Sequence, residues 1–327
     1  MTSDVSVSAP TEERHPGTTA IDTQPTLEIL RLLNDDDALV APAVAQVLPE
    51  LAQLVDRAVA SVRVGGTVHY FGAGTSGRLA VLDAAELLPT FNSPDGLFVA
   101  HHAGGPGALL RAVENVEDDE EAGHAEASVL REGDIAIGLT ASGRTPFVGG
   151  ALRRAREIGA ITALVTSHPE AGLAPYADHL LVARTGPEVL TGSTRLKAGT
   201  AQKLILNSFS TAVMIRLGRT WSNLMVDVVA TNAKLRGRVL RILQEASGAD
   251  EAQARLALEA ADGELKTALL SMLADTDAAT ARQAIVDQHG SVAKALADLV
   301  PISSTHPSRS PHDGAFEAPQ SLTGDRS

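Results

Sequence analysis

The chain has 327 residues, 44% of them hydrophobic, and a net charge of −13 without any cysteine. This length is enough for one large or two smaller domains with a substantial core. The negative charge argues against a nucleic-acid backbone or an anionic membrane as the main partner, and the lack of cysteine excludes disulfides, thiolate metal sites and cysteine nucleophiles.

Both ends of the chain are polar and rich in Ser, Thr and Pro, which predicts disordered tails over residues 1–20 and 301–327. The first stretch lacks the basic start and apolar core of a signal peptide, and no apolar run reaches the ~18 residues of a membrane span. We therefore expect a cytoplasmic protein. Residues 21–64 place leucines at helical spacing and are predicted to form N-terminal helices that end at Gly65-Gly66.

Residues 65–247 alternate short apolar runs with helical patterns, which is typical of a parallel sheet covered by helices on both faces. The predicted strands cover residues 67–71, 96–100, 134–140, 161–167 and 179–183. Helices are predicted over residues 76–87, 194–218 and 226–246, and from Pro146 with Thr145 as its N-cap. Residues 248–300 are predicted to form a small bundle of three short amphipathic helices.

Two loops rich in glycine and hydroxyl groups follow the first and third predicted strands. The first, GAGTSGR over 72–78, matches the G-x-G-x-x-G pattern of dinucleotide-binding folds. A nicotinamide or flavin site also needs an acid at the end of the second strand, whereas here the turn-like NSPDG places its acid ahead of that strand. The second, ASGRT over 141–145, repeats the Ser-Gly-Arg. Two such loops on neighbouring strand ends converge on one small phosphate. Helix capping is the alternative for each loop taken alone, and Arg78 and Arg144 stay unassigned.

The string GPEVLTGSTRLKAGTAQK, from Gly186 to Lys203, combines hydroxyls and cations around a predicted helix start. Free backbone N–H groups and the positive end of the helix dipole make such a start a natural anion site. The candidates in it for further substrate or interface contacts are Glu188, Ser193, Arg195 and Lys197.

This string resembles the signature shared by N-acetylmuramic acid 6-phosphate etherases and the glucokinase regulatory protein, and the two loops resemble those of sugar-isomerase (SIS) domains. The resemblance spans about residues 12–300. It implies an α/β fold, a three-layer αβα SIS domain with a parallel sheet, flanked by N-terminal helices and a C-terminal helical bundle. It also implies that a sugar phosphate is held by Gly74, Thr75, Ser76, Ser142, Gly143 and Thr145.

The resemblance to the etherases further implies two catalytic carboxylates. Glu86 in VLDAAELLPTF would protonate the departing lactyl oxygen, and Glu117 in RAVENVEDDEE would remove the proton from C2, with Glu114 as its nearest competitor. Elimination from the open-chain sugar and addition of water at C3 would give N-acetylglucosamine 6-phosphate and D-lactate. Two carboxylates in unlike environments can divide these duties, and neither a metal nor an organic cofactor is expected.

Three functions compete: an etherase, which is a carbon–oxygen lyase, a non-catalytic sugar-phosphate sensor like the glucokinase regulatory protein, and an aldose–ketose isomerase. The presence of both acids and the length of the chain favour the etherase, acting on N-acetylmuramic acid 6-phosphate as a homodimer, without nucleic-acid or membrane partners.

Glu86 lies ten residues beyond Ser76, ~15 Å along a continuous helix. It therefore serves a partner subunit's phosphate site, or the helix ends early. His101 and His102 face opposite sides of a strand, so we expect no metal pair there.

Overall fold

The computed structural model describes residues 9–111, 113–228 and 233–300, without the side chains of residues 233 and 234. The predicted tail over 301–327 and the first eight residues of the predicted N-terminal tail lie outside the described residues. Residues 9–20 differ from the predicted disorder, since they carry 3-10 helices at Pro10–Glu12 and Pro16–Thr18. The hydroxyl of Thr18 donates to the carbonyl of Val189 at 2.9 Å, and this contact helps to hold the segment on the fold.

Five parallel strands form the central sheet in the order β2-β1-β3-β4-β5, and all five strand predictions are confirmed to within two residues. Their bounds are Val68–Gly72, Phe98–His102, Ile135–Leu139, Ile161–Thr166 and His179–Val182 for β1 to β5. Every residue of β1 and β3 is buried, as expected for strands covered on both faces. The strand order reverses direction between β1 and β3, and open α/β sheets bind ligands at such a switch point, beyond the carboxyl ends of the strands.

Helices cover both faces of the sheet, which confirms the three-layer αβα arrangement. The first eight helices are α1 Thr26–Asp37, α2 Val40–Ala45, α3 Leu48–Arg63, α4 Gly74–Phe91, α5 Gly107–Leu110, α6 Glu120–Glu126, α7 Pro146–Ile158 and α8 Lys197–Arg216. One apolar core lies under α2, α3, α4 and α8, and a second lies under α7 on the opposite face.

Within the described ranges, no single helix is long and apolar enough to cross a membrane. One pair of segments, Thr26–Ala45 and Leu48–Arg63, passes that test only together and is bent by 59°.

The C-terminal part packs around a third apolar core. It contains four helices after residue 248 rather than the predicted three, and Asp262, Asp275 and His289, each in the left-handed conformation, follow the first three of them. The unpredicted hairpin of β6 (Thr220–Trp221) and β7 (Leu224–Met225) precedes α9, which begins at residue 233 rather than 226. These helices are α9 Ala233–Ser247, α10 Glu251–Ala260, α11 Leu265–Ala274, α12 Ala278–Asp287 and α13 Val292–Leu299.

Candidate functional site

The loop after β1 makes a tight turn into α4. Gly74 opens the helix at a φ of +55°, a conformation that favours glycine. A Cβ on Gly77 would lie 2.5 Å from the carbonyl oxygen of Gly72, so the strand and the helix approach closely only because Gly77 has no side chain. Thr75 and Ser76 follow in the first turn, half-buried. The first N–H groups of a helix have no partner inside it, so this turn presents amides and hydroxyls at the switch point.

The loop after β3 brings three hydroxyls together on the other side of the switch point. The Oγ1 of Thr140 lies 2.7 Å from that of Thr145 and 3.3 Å from the Oγ of Ser142. Gly143 has a φ of +69° and passes so close to Ala171 that a Cβ would overlap it. Thr145 is the N-cap of α7 and Pro146 its first residue, as predicted.

These hydroxyls do not serve as helix caps. The N-cap of α4 is Ala73, and the structure, within its described residues, gives the side chain of Thr145 no capping hydrogen bond to α7. The capping interpretation of the two loops therefore loses its main support. The hydroxyl groups lie in the loops that follow β1 and β3, and their binding of a phosphate stays a prediction.

A cleft of ≈ 410 Å³ opens beside the first loop, a volume within the range of small-molecule sites. Gly74 and His102 line one side of it, and the segment 113–118 lines the other, with the exposed carboxylates of Glu114 and Glu117. Val116 packs closely against Gly104, since a Cβ added to Gly104 would lie only 3.1 Å from the Cγ1 of Val116. This contact anchors the segment. The structure therefore brings Glu117 to the predicted phosphate loop, together with its competitor Glu114.

Arg78 holds the wall of this cleft. Its Nε donates to the carbonyl of Leu109 at 2.9 Å and its Nη2 to that of Ala108 at 2.7 Å. These bonds tie α4 to the chain that leads into the acidic segment. We assign Arg78 to positioning this wall, a role that the sequence analysis left open.

Glu86 lies outside the described lining of the cleft. α4 is continuous from Gly74 to Phe91, so the alternative in which the helix ends early is wrong. Glu86 is exposed twelve residues after Gly74, or ~18 Å along the axis at ~1.5 Å per residue. Exposed Leu82 and Leu88 lie near it on the same helix. The partner-subunit alternative for Glu86 stays a prediction.

Asp83, one turn before Glu86, is a buried carboxylate that the sequence analysis did not assign. It accepts hydrogen bonds from the hydroxyl of Tyr70 at 3.0 Å, the amide of Asn207 at 2.7 Å and the hydroxyl of Ser210 at 3.0 Å. Burial raises its pKa, and these donors oppose that rise. Asp83 therefore joins β1, α4 and α8 beneath the site.

The predicted anion site at the start of α8 is occupied by the protein's own carboxylate. Glu188 is fully buried and accepts the N–H of Lys197 at 2.9 Å and that of Ala198 at 3.0 Å. Burial raises the pKa of Glu188, while the two N–H groups act in the opposite direction. This capping excludes a substrate phosphate from the same amides, so the sequence-based expectation for this helix start is wrong.

Lys197 also has an internal partner. Its Nζ lies 2.8 Å from the Oδ1 of Asp36 in α1, and both side chains are buried. Arg195 is exposed and Ser193 half-buried. The first turn of α8 packs behind the phosphate loop, since a Cβ on Gly199 would lie 3.4 Å from the Cγ2 of Thr75. The 186–203 string thus acts as a scaffold behind the first loop.

His101 and His102 face opposite sides of β2, as predicted. His102 lines the cleft, whereas His101 contacts His69 and Glu126 under the other face. Among the residues that the structure describes, no group of three His, Asp or Glu side chains is arranged to hold a metal ion.

Comparisons with known proteins match this architecture. Residues 50–156 match the model of the glucokinase regulatory protein N-terminal SIS domain, and residues 109–212 match that of the SIS domain. The N-acetylmuramic acid 6-phosphate etherase of Thermobifida fusca is 60% identical over 267 residues, which cover 82% of this chain and 88% of that protein. The protein of the same name from Pectobacterium atrosepticum is 51% identical over 87% of this chain and 95% of its own length.

Among solved structures, a phosphoheptose isomerase from Francisella tularensis aligns with 58% of this chain and 98% of its own, at 20% identity and a TM-score of 0.47.

Proposed function

Because the chain belongs to the family of N-acetylmuramic acid 6-phosphate etherases, we propose that it cleaves the D-lactyl ether of N-acetylmuramic acid 6-phosphate. The products are N-acetylglucosamine 6-phosphate and D-lactate, in cell-wall amino-sugar recycling, and the reaction is that of a carbon–oxygen lyase in the cytoplasm. The observation that carries the proposal is one cleft that joins Gly74 of the phosphate loop to the carboxylate of Glu117. A sensor needs no carboxylate at that point, so the alternative function is disfavoured.

The phosphate occupies the switch point between β1 and β3. The free amides at the start of α4 and its positive dipole end favour a dianion, and the hydroxyls of Thr75 and Ser76 lie in the same turn. Ser142, Gly143 and Thr145 contribute from the neighbouring strand end. This placement directs the rest of the sugar toward the cleft and the segment 113–118.

Glu117 acts as the base in this scheme. In the open-chain aldehyde, C2–H lies next to a carbonyl, so a carboxylate can remove that proton while the C3–O bond breaks. A general acid then protonates the lactyl oxygen, and water adds at C3. Glu117 is exposed in the cleft and directly follows Val116, whose side chain packs close to Gly104.

Glu86 supplies the acid from a second copy of the chain in a homodimer. Its place on a continuous α4 puts it ~18 Å from the first residue of its own phosphate loop. The side chains of Leu82 and Leu88 are 53% and 52% exposed on the same helix. Leu82 lies four residues before Glu86 and shares its face of α4, whereas Leu88, two residues after Glu86, lies on another side of the helix. Burial of exposed apolar area is the main driving force of association, so the face with Leu82 and Glu86 is suited to pack against a partner.

The test is release of lactate by the purified protein from N-acetylmuramic acid 6-phosphate, without added metal or nucleotide. In ¹⁸O-labelled water, the label should appear at C3 of the product. Glu86→Gln and Glu117→Gln should each lower the rate about 10²–10⁴-fold, the usual contribution of a general acid or base. Glu114→Gln is the matched control in the same cleft and should retain activity. Binding of the substrate without turnover would favour the sensor instead.

Mixed dimers test the origin of Glu86. When the Glu86→Gln and Glu117→Gln chains are coexpressed, a heterodimer holds one site with both acids only if the acid crosses from the partner. Activity should then return although each variant alone is inactive. If the mixture stays inactive while heterodimers are shown to form, both acids belong to one chain and the partner-subunit assignment is refuted.

A further inference from the structure

His102 is a buried imidazole beside the phosphate loop to which the proposed mechanism gives no role. It ends β2 and is only 7% exposed, yet it lines the cleft. Its ring fills the space left by a missing side chain, since a Cβ on Gly77 would lie 2.6 Å from its Cδ2. The ring therefore packs directly against the turn that opens α4.

Both ring nitrogens of His102 face backbone carbonyls. The Nδ1 lies 2.7 Å from the carbonyl oxygen of Ala103, and the Nε2 lies 3.3 Å from that of Gly74. Because carbonyl oxygens only accept, each contact is a hydrogen bond only where that ring nitrogen carries an N–H; the imidazolium form donates to both carbonyls, and a neutral ring donates to one of them. The first contact fixes the ring on its own strand, and the second reaches from β2 to the phosphate loop.

The contact with Gly74 acts on the loop through the peptide plane. The carbonyl of Gly74 and the N–H of Thr75 belong to one planar trans unit and point in opposite directions. A ring that holds this carbonyl therefore fixes the direction of the Thr75 N–H, one of the amides free at the helix start. Gly74, at a φ of +55°, has a wider choice of conformations than other residues, so the loop gains from such an anchor.

We propose that His102 is a positioning residue for the substrate phosphate: its Nε2 holds the Gly74 carbonyl and thereby aims the Thr75 N–H at the anion. This inference rests on the proposed function for its substrate, but the anion site that it concerns is testable without turnover. The phosphate does not react, so its contacts contribute equally to the bound substrate and the transition state. Loss of such contacts raises KM and leaves kcat largely unchanged.

Two conservative variants separate the two contacts. In His102→Asn the amide nitrogen takes the place of Nδ1, so the Ala103 contact is retained and the Gly74 contact is lost. In His102→Gln the amide nitrogen reaches the place of Nε2 and restores the Gly74 contact. We expect KM to rise about tenfold in His102→Asn, which is part of what a hydrogen bond to a charged group contributes. In His102→Gln, KM should lie near the wild-type value. In both variants kcat should stay within about twofold of the wild-type value.

The control is His179→Gln, in which the amide nitrogen takes the place of Nε2 and the Nδ1 contact of His179 is lost. His179 is also buried on a strand and lies 2.6 Å from the Oε1 of Glu50, but it belongs to β5 on the far edge of the sheet. This variant loses a comparable imidazole contact without touching the phosphate loop, so its KM should stay at the wild-type value even if its melting temperature falls. Equal increases of KM in His102→Asn and His179→Gln would mean a general loss of packing and would overturn the proposal.

Calorimetric titration with N-acetylglucosamine 6-phosphate and with inorganic phosphate gives a readout that does not need turnover. Affinity for both should fall in His102→Asn and recover in His102→Gln. If the wild-type protein releases no lactate but these affinities change as expected, the proposed function fails and the role of His102 stands. If lactate is released and the affinities are equal in all three proteins, or if His102→Asn lowers kcat alone, the role of His102 is refuted.

Discussion

The buried ion pair between Lys197 and Asp36 offers a direct test of whether the 186–203 string stabilises the fold or contacts the substrate. The Nζ of Lys197 lies 2.8 Å from the Oδ1 of Asp36, at 3% and 7% exposure. Removal of one partner from a buried pair costs about 3–5 kcal/mol, because it leaves the other charge buried without compensation. The Nε2 of His15 lies 3.4 Å from the same Oδ1 and can compensate in part. We therefore expect Lys197→Met to lower the free energy of unfolding by about 3 kcal/mol, the lower end of that range.

The assay is urea unfolding followed by circular dichroism. The double variant Lys197→Met, Asp36→Leu removes both charges and should recover most of the loss, since an apolar pair of similar volume is often as stable. The matched control is Arg255→Met, which breaks an exposed i,i+4 pair with Glu251 at 62% and 60% exposure and should cost only about 0.3–0.5 kcal/mol. If Lys197→Met keeps wild-type stability and loses affinity for the substrate, Lys197 contacts the ligand and the scaffold role is refuted.

Gly104→Ala should lower activity as well as stability, because its φ of +82° costs about 1–2 kcal/mol with a side chain and the new Cβ would push Val116 and the Glu117 segment. Gly105→Ala, at +67° with open space around it, is the control; equal losses of lactate release would contradict this reasoning. Glu188→Ala should destabilise more than Glu188→Gln in urea unfolding, since it leaves two buried N–H groups without an acceptor at about 1–3 kcal/mol each, and equal values would argue against the cap. Burial, with a smaller effect of nearby His101, lowers the pKa of His69 to about 4. The folded state therefore binds fewer protons than the unfolded state between pH 6.5 and about 4, and about 3 kcal/mol of stability should be lost as the pH falls through this window. His69→Gln should flatten the profile, and an unchanged slope would assign the loss to other groups.

The sheet could be predicted from the sequence because its strands are local apolar runs. β1 and β3 are buried over their whole length and read as continuous hydrophobic segments, each followed by a glycine-rich loop. In the structure β1 pairs with β3, so the two loops lie at neighbouring strand ends. The two loops were accordingly predicted at the ends of β1 and β3, where the structure has them, and their binding of phosphate stays a prediction.

The contacts of the 186–203 string could not be predicted in the same way. Glu188 occupies the amides of α8 nine residues ahead, and Lys197 pairs with Asp36, 161 residues away. Hydroxyls and cations at a helix start are equally typical of an anion site and of a capped, ion-paired scaffold, since both satisfy the same N–H groups. The N-terminal segment was read as a tail for a similar reason: Thr18 is polar, but its hydroxyl is buried against Val189.

The position of Glu86 connects the chemistry to the assembly. A proton donor must reach the lactyl oxygen, and a rigid helix keeps Glu86 ~18 Å from its own phosphate loop. The same helix leaves Leu82 and Leu88 exposed, side chains that water disfavours. Of these two leucines, Leu82 shares a helix face with Glu86, so a partner packed on that face would bring the Glu86 carboxyl into the interface. Dimer formation would then deliver the acid to the cleft of Glu117. The two acids would differ because one lies in an open cleft and the other at an interface, which is the difference in environment that general acid–base catalysis by two carboxylates demands.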